Sequence, residues 1–169
     1  MFGIYFDEMP EFRWDPERMD DEDGGYGRGS LYRDGVIVLG DDERGFRAPL
    51  SCWREQDYEA QWRDGVERLV AGAESSALVV EWDYPADEQW VMFFPLFRLD
   101  GTTVAVQKRL WPGITSFWQR RVLRRSFRLQ PEEIYGVVGS YSAETEDGDP
   151  MWEVRLPLSD FADYLSRQR

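Results

Sequence analysis

Trp53 to Leu110 reads WREQDYEAQWRDGVERLVAGAESSALVVEWDYPADEQWVMFFPLFRLDGTTVAVQKRL, and two periodicities within it set the fold. Over Trp53–Gly72, the residues Tyr58, Trp62, Val66 and Leu69, with Ala73 beyond, recur at steps of three and four. That spacing places them on one face of an amphipathic helix. Glu55, Glu59, Arg63, Glu67 and Arg68 cover much of the remainder. Acidic residues at the start suit the helix dipole, and Gly72 stands where a left-handed cap is needed. Three apolar runs follow: Ala77–Trp82, Trp90–Leu99 and Thr102–Gln107. Pro95 in the second suggests an edge position or a bulge. Asp100-Gly101 between the second and third is a hairpin signal. Consecutive strands with short links predict an antiparallel sheet against which the helix packs.

Outward from this centre the pattern is shorter-ranged. Phe2–Phe6 alternates and is predicted to be a strand. Asp7–Gly29 is read as an acidic loop, with little to bury. Ser30–Leu39 reads as one or two strands, with Asp34-Gly35 a candidate tight turn, and Gly40–Leu50 as a polar connection anchored by Phe46. After the break at Pro112-Gly113, Ile114–Phe127 has helical spacing. Ile134–Val138 is read as a strand, Ser140–Pro150 as a polar loop, Met151–Leu156 as the last strand and Leu158–Ser166 as a short helix buried through Phe161, Tyr164 and Leu165. The expectation is a single α+β domain over residues 1–169: an antiparallel β-sheet with one main amphipathic helix packed on it and a short C-terminal helix.

Hydrophobic residues make up 42 % and aromatics 15 %, as in a packed globular chain. The net charge of −13 opposes contact with nucleic acid or anionic lipid and attracts cationic partners. Gly101–Pro131 holds no carboxylate and carries +7, so the remainder carries −20. One cysteine, Cys52, suits a reducing compartment. No signal-peptide pattern or long apolar run is present, so the expected location is cytoplasmic.

The chain has no histidine, which excludes Ser-His and Cys-His pairs, a histidine base and histidine-ligated zinc. Gly24-Gly25-Tyr26-Gly27-Arg28-Gly29 lacks the flanking strand and helix of a phosphate-binding loop. Glu81 and Asp83, with Asp87 and Glu88, could bind magnesium or act as acid and base, or simply be a solvated strand end. Cys52 before the helix could be acidified or be a small filler. Arg120, Arg121, Arg124, Arg125 and Arg128 could hold phosphate or pair with the acidic pole. No catalytic residue, metal site or cofactor is expected.

Several short motifs fall in a familiar order: Ser51-Cys52-Trp53, Asp57-Tyr58-Glu59-Ala60-Gln61-Trp62, Ser76-Ala77-Leu78, Phe94-Pro95-Leu96-Phe97-Arg98, Val104-Ala105-Val106-Gln107, Thr145-Glu146-Asp147-Gly148 and Trp152-Glu153-Val154. Together they resemble the CdiI-type immunity proteins of contact-dependent growth inhibition. Two features depart from the pattern: Arg54 stands where a Ser or Thr cap is expected, and the Arg120–Arg128 stretch has no counterpart. The resemblance implies a non-catalytic cytosolic protein that binds and blocks the toxic C-terminal domain of a delivered effector. A nuclease with a cationic cleft would suit the acidic pole, which would steer association. The candidate contacts are Asp20, Asp21, Glu22 and Asp23, then Asp83, Asp87 and Glu88, then Glu144, Glu146 and Asp147. A magnesium-dependent carboxylate enzyme and an acidic adaptor with an Arg-rich phosphate-binding segment are the alternatives.

Overall fold

A computed structural model describes residues 1–7, 32–50, 53–83, 90–112, 131–145 and 147–168. Phe2–Phe6 (β1), Tyr32–Leu39 (β2) and Asp42–Pro49 (β3) form a three-stranded antiparallel sheet in that order. Helix α1, Glu55–Val70, precedes a larger antiparallel sheet of Ser75–Asp83 (β4), Trp90–Arg98 (β5), Thr103–Gln107 (β6), Arg109–Pro112 (β7) and Glu153–Pro157 (β8). Its order is β4-β5-β6-β8, with β7 pairing to β5 beyond the end of β6. A 3-10 segment, Pro131–Val137, precedes β8, and helix α2, Leu158–Arg167, follows it. The α+β architecture is thus as the periodicities predict, with two antiparallel sheets sharing the strands.

Arginine has no acceptor with which to cap a helix. Asp57, three residues into α1, supplies one instead by accepting from the Arg54 backbone N–H at 2.9 Å. At the other end Gly72 has φ +112, the left-handed conformation its position requires. Tyr58, Trp62, Val66 and Leu69 are buried. Their rings join β1, β3 and β4 in one aromatic cluster: Trp62 lies 4.9 Å from Phe6 and 5.7 Å from Phe46, and Trp53 lies 5.0 Å from Tyr58 and 5.1 Å from Trp82. Helix α2 closes a second cluster, with Phe161 stacked on Phe2 at 4.4 Å and Tyr164 edge-on at 5.1 Å.

The contact between α1 and β4 is closer than packing alone requires. β4 is an edge strand, so its outward peptide groups need partners. Gln61, fully buried, donates from Nε2 to Ala77 O at 2.8 Å and accepts at Oε1 from Val79 N–H at 2.9 Å. Its amide therefore does what a peptide unit of a neighbouring strand would do. Trp62 Nε1 donates to Val79 O at 2.6 Å, and Ser76 Oγ donates to Gly65 O at 2.7 Å. Gly65 permits this approach, because a Cβ there would stand 2.5 Å from Ala77 O.

Four expectations are corrected. Asp34-Gly35 is not a turn but lies within β2, paired with Arg47 and Phe46. Gly35 is needed because a Cβ would sit 2.4 Å from the Phe46 ring. The turn is Gly40-Asp41, with Gly40 at φ +71, and Gly40–Leu50 is mostly strand β3 rather than a connection. Ile134–Val138 is not a strand; Ile134 lies in the 3-10 segment, which ends at Val137, and Ile134 and Val138 are buried beside the sheet. β5 is an interior strand, not an edge, and the bulge in its pairing lies between Val79 and Glu81 of β4, with Pro95 in regular register opposite Ala77. Pro95 is tolerated because β7 pairing stops at Phe93 and β6 pairing begins at Leu96, so its missing N–H falls between them. The helix read over Ile114–Phe127 and the loop over Asp7–Gly29 lie outside the described residues, apart from Asp7. Among the described residues, no helix is long and apolar enough to cross a membrane.

Candidate partner-binding surface

β6 and β7 end and begin on polar residues that a sheet interior does not call for. Gln107 pairs with Glu153 in the β6–β8 register and is fully buried. Its Nε2 donates to Ser142 O at 2.7 Å and to Glu153 Oε2 at 3.0 Å, while its Oε1 accepts from Arg109 Nη2 at 2.8 Å. Arg109 Nη1 donates to Val138 O at 2.9 Å, and the guanidinium lies 5.2 Å from the centre of the Phe97 ring. Burial lowers the Arg109 pKa from its ordinary value. Burial alone would raise the Glu153 carboxyl, but hydrogen bonds from Arg155 (2.7 Å) and Gln107 outweigh it and hold Glu153 below the usual carboxylate range. Tyr141 stands edge-on to Phe97 at 5.5 Å, and its hydroxyl accepts a long bond from Arg155 Nη2 at 3.4 Å.

On this base stands an ordered turn. Met151 N–H donates to Ala143 O at 2.8 Å, Glu144 bridges Pro150, and Thr145 N–H donates to Asp149 O at 2.8 Å. Gly148, at φ +85, reverses the chain and donates to Thr145 O at 3.0 Å, and Thr145 Oγ1 accepts from Asp149 N–H at 3.1 Å. The tip turns its polar side chains outward: Glu144, Asp147 and Asp149 are all exposed. In sequence, residues 143–151 hold four carboxylates and no basic residue, so the turn is an anionic feature. Such a surface attracts a cationic partner at range, and a pre-ordered backbone lowers the entropy lost on contact.

A second acidic tip reaches the same side. Asp41 and Glu43 are exposed at the β2–β3 turn. Arg44, paired with Asp42 at 2.9 Å, lies over the Trp152 ring at 5.3 Å, and Gly40 packs beside Leu156. The signal for this hairpin was Gly40-Asp41 standing between an apolar run and the buried pair Phe46 and Ala48.

Of the ten candidate contacts, the structure brings Glu144 and Asp147 together on the ordered turn. Asp83 is the last residue of β4, opposite Trp90. Glu81 of the same strand is partly buried, and its Oε1 accepts from Arg47 N–H at 3.4 Å. Asp20, Asp21, Glu22, Asp23, Asp87, Glu88 and Glu146 lie outside the described residues, as do Cys52 and the Arg120–Arg128 cluster.

Comparison with known proteins adds two findings. Residues 48–164, more than half of the chain, match the family model described as the CdiI N-terminal domain. The fold is also similar to a chain of a solved structure described as a CdiA-CT/CdiI toxin and immunity complex from Enterobacter cloacae. That match has a TM-score of 0.71 at 22 % identity and covers 99 % of this chain and 97 % of the other. No curated protein sequence matches.

Proposed function

This chain belongs to the CdiI family of immunity proteins, and we propose that it binds and neutralises a cognate protein toxin without catalysing a reaction. The match over residues 48–164 carries that reading. Finer features follow as parts of the same proposal. The chain acts in the cytosol as one domain over residues 1–169 and needs no cofactor. Its toxin is a nuclease domain with a cationic cleft, and the inhibitor occludes it. The acidic turn at Glu144–Asp149 supports this choice of partner, because its carboxylates can stand where substrate phosphates would. Asp20–Asp23 and Asp83–Glu88 complete the proposed contact surface.

The test is co-expression with the toxic C-terminal domain encoded beside its gene, scoring growth rescue and co-purification together. Rescue with a one-to-one complex is expected, and a toxic domain that is neither bound nor blocked would overturn the pairing. The surface is tested by reversing Glu144, Asp147 and Asp149 to lysine together. Association at low salt should slow about tenfold, and its salt dependence should flatten. An unchanged rate would remove the turn from the interface.

A further inference from the structure

We infer that Gln107 and Arg109 form a latch that holds the acidic turn in place for its partner, making them positioning residues for toxin recognition. The inference rests on the reading above that this turn touches the toxin. Its basis is where the Gln107 amide points. One Nε2 group donates to Ser142 O at 2.7 Å and to Glu153 Oε2 at 3.0 Å. Those residues stand at the entry and exit of the acidic segment, so a single buried amide ties both of its ends to β6. Ser142 continues the order outward, since its Oγ donates to Glu144 O at 2.7 Å and accepts from Glu144 N–H at 3.2 Å.

Arg109 completes the latch on the upstream side. It fixes Val138 O at 2.9 Å and locks the Gln107 amide in one orientation by donating to Oε1 at 2.8 Å. With Oε1 committed to a guanidinium, Nε2 is free to face only acceptors, which the Ser142 carbonyl and the Glu153 carboxylate provide. A sheet position between Val106 and β7 would be filled at lower cost by an apolar residue. The amide is explained by the loop it closes. Fixing that loop beforehand removes ordering entropy from the binding step, which slows dissociation more than it speeds association.

The test uses the intact protein with Gln107→Leu and, separately, Arg109→Met, which keeps an unbranched apolar stem and removes the guanidinium. In the free protein, exchange of the Thr145, Gly148 and Met151 amides should quicken about tenfold in both variants, while α1 amides keep their wild-type rates. A merely structural role would move both sets alike. In the complex with the toxin domain, dissociation should quicken about tenfold in both variants, and for Gln107→Leu, which alters no charge, association should stay nearly unchanged. Turn amides that exchange at wild-type rates in both variants would overturn the latch. Faster exchange with unchanged dissociation would overturn its role in recognition. Wild-type protein that fails to bind would instead overturn the functional reading. Should Gln107→Leu not fold, Arg109→Met decides.

Discussion

Replacing Gln61 by leucine isolates what the α1 amide does for the edge of β4. The substitution keeps most of the buried volume but leaves Ala77 O and Val79 N–H without the bonds they now make at 2.8 and 2.9 Å. Each buried group left unsatisfied costs about 1–3 kcal/mol, and the leucine regains part of this through its own burial. A net loss of about 3 kcal/mol is expected, a large share of the ~5–15 kcal/mol by which domains are stable. With a urea slope of about 2 kcal/mol/M, the unfolding midpoint should fall by about 1.5 M. The opened strand edge should also make the variant prone to aggregation. A fall of less than about 0.5 M with an unchanged slope would show that water serves β4 as well as Gln61 does.

Gln61→Glu sharpens the test through pH. The carboxylate could still accept from Val79 N–H but would oppose the Ala77 carbonyl. Burial and that oxygen both disfavour the charged form, so the folded-state pKa is raised above the unfolded value of about 4.3. A raised carboxyl pKa contributes stability below the unfolded pKa and loses it as pH climbs through the folded one. Gln61→Glu should therefore lie closest to wild type near pH 4 and fall furthest behind near pH 7. A gap that does not change with pH would refute the assigned geometry.

Two further outcomes concern the same scaffold. Gly65→Ala gains about 1 kcal/mol of helix propensity, yet its Cβ would stand 2.5 Å from Ala77 O, so a net loss of about 2 kcal/mol in urea unfolding is expected. Burial pushes the Tyr164 phenol up to about 12, with Arg63 pulling part of the way back. The fold thus favours the neutral phenol, and stability present below the unfolded pKa of about 10 should drain as pH rises toward 12. Tyr164→Phe should flatten that alkaline decline in unfolding measurements at successive pH values.

Long periodic elements were legible, and elements defined by a partner were not. Tyr58, Trp62, Val66 and Leu69 announce α1 because three successive helical steps fall on one apolar face, and Phe2–Phe6 alternates cleanly. β3 carries little strand signal because its first half, Asp42-Glu43-Arg44-Gly45, is polar; only Phe46, Ala48 and Pro49 within it are buried. β7 is four residues long and exists through its register with Trp90–Phe93. Ile134 and Val138 carry β-branched side chains that favour strands, yet Ile134 lies in a 3-10 segment laid beside β4 and α1 and Val138 directly follows it. In the candidate surface, Glu144 and Asp147 could be named from charge alone. Gln107 could not, since its meaning depends on lying opposite Glu153 and beneath Ser142.

The motifs that carried the family resemblance have physical roles that explain why they identify a scaffold and leave the toxin unnamed. Trp53, Tyr58, Gln61 and Trp62 are buried, as are Ser76, Ala77, Leu78, Phe94, Leu96, Phe97 and Val104 through Gln107. Tyr58 donates to Pro49 O at 3.0 Å, Gln61 and Trp62 serve the β4 edge, and Gln107 closes the acidic loop. In the Thr145–Gly148 motif, too, described residues serve the backbone, with Gly148 supplying a positive φ and Thr145 a side-chain acceptor. Among the described residues, none of these constraints fixes the side chains at Glu144, Asp147 or Asp149, which are exposed. If the tips touch the toxin as proposed, substitutions there change the partner while the Gln61 and Gln107 hydrogen bonds stay in place. Grafting another member's tip residues onto this turn should then exchange the partner and leave the unfolding free energy within about 0.5 kcal/mol of wild type, as surface substitutions usually do.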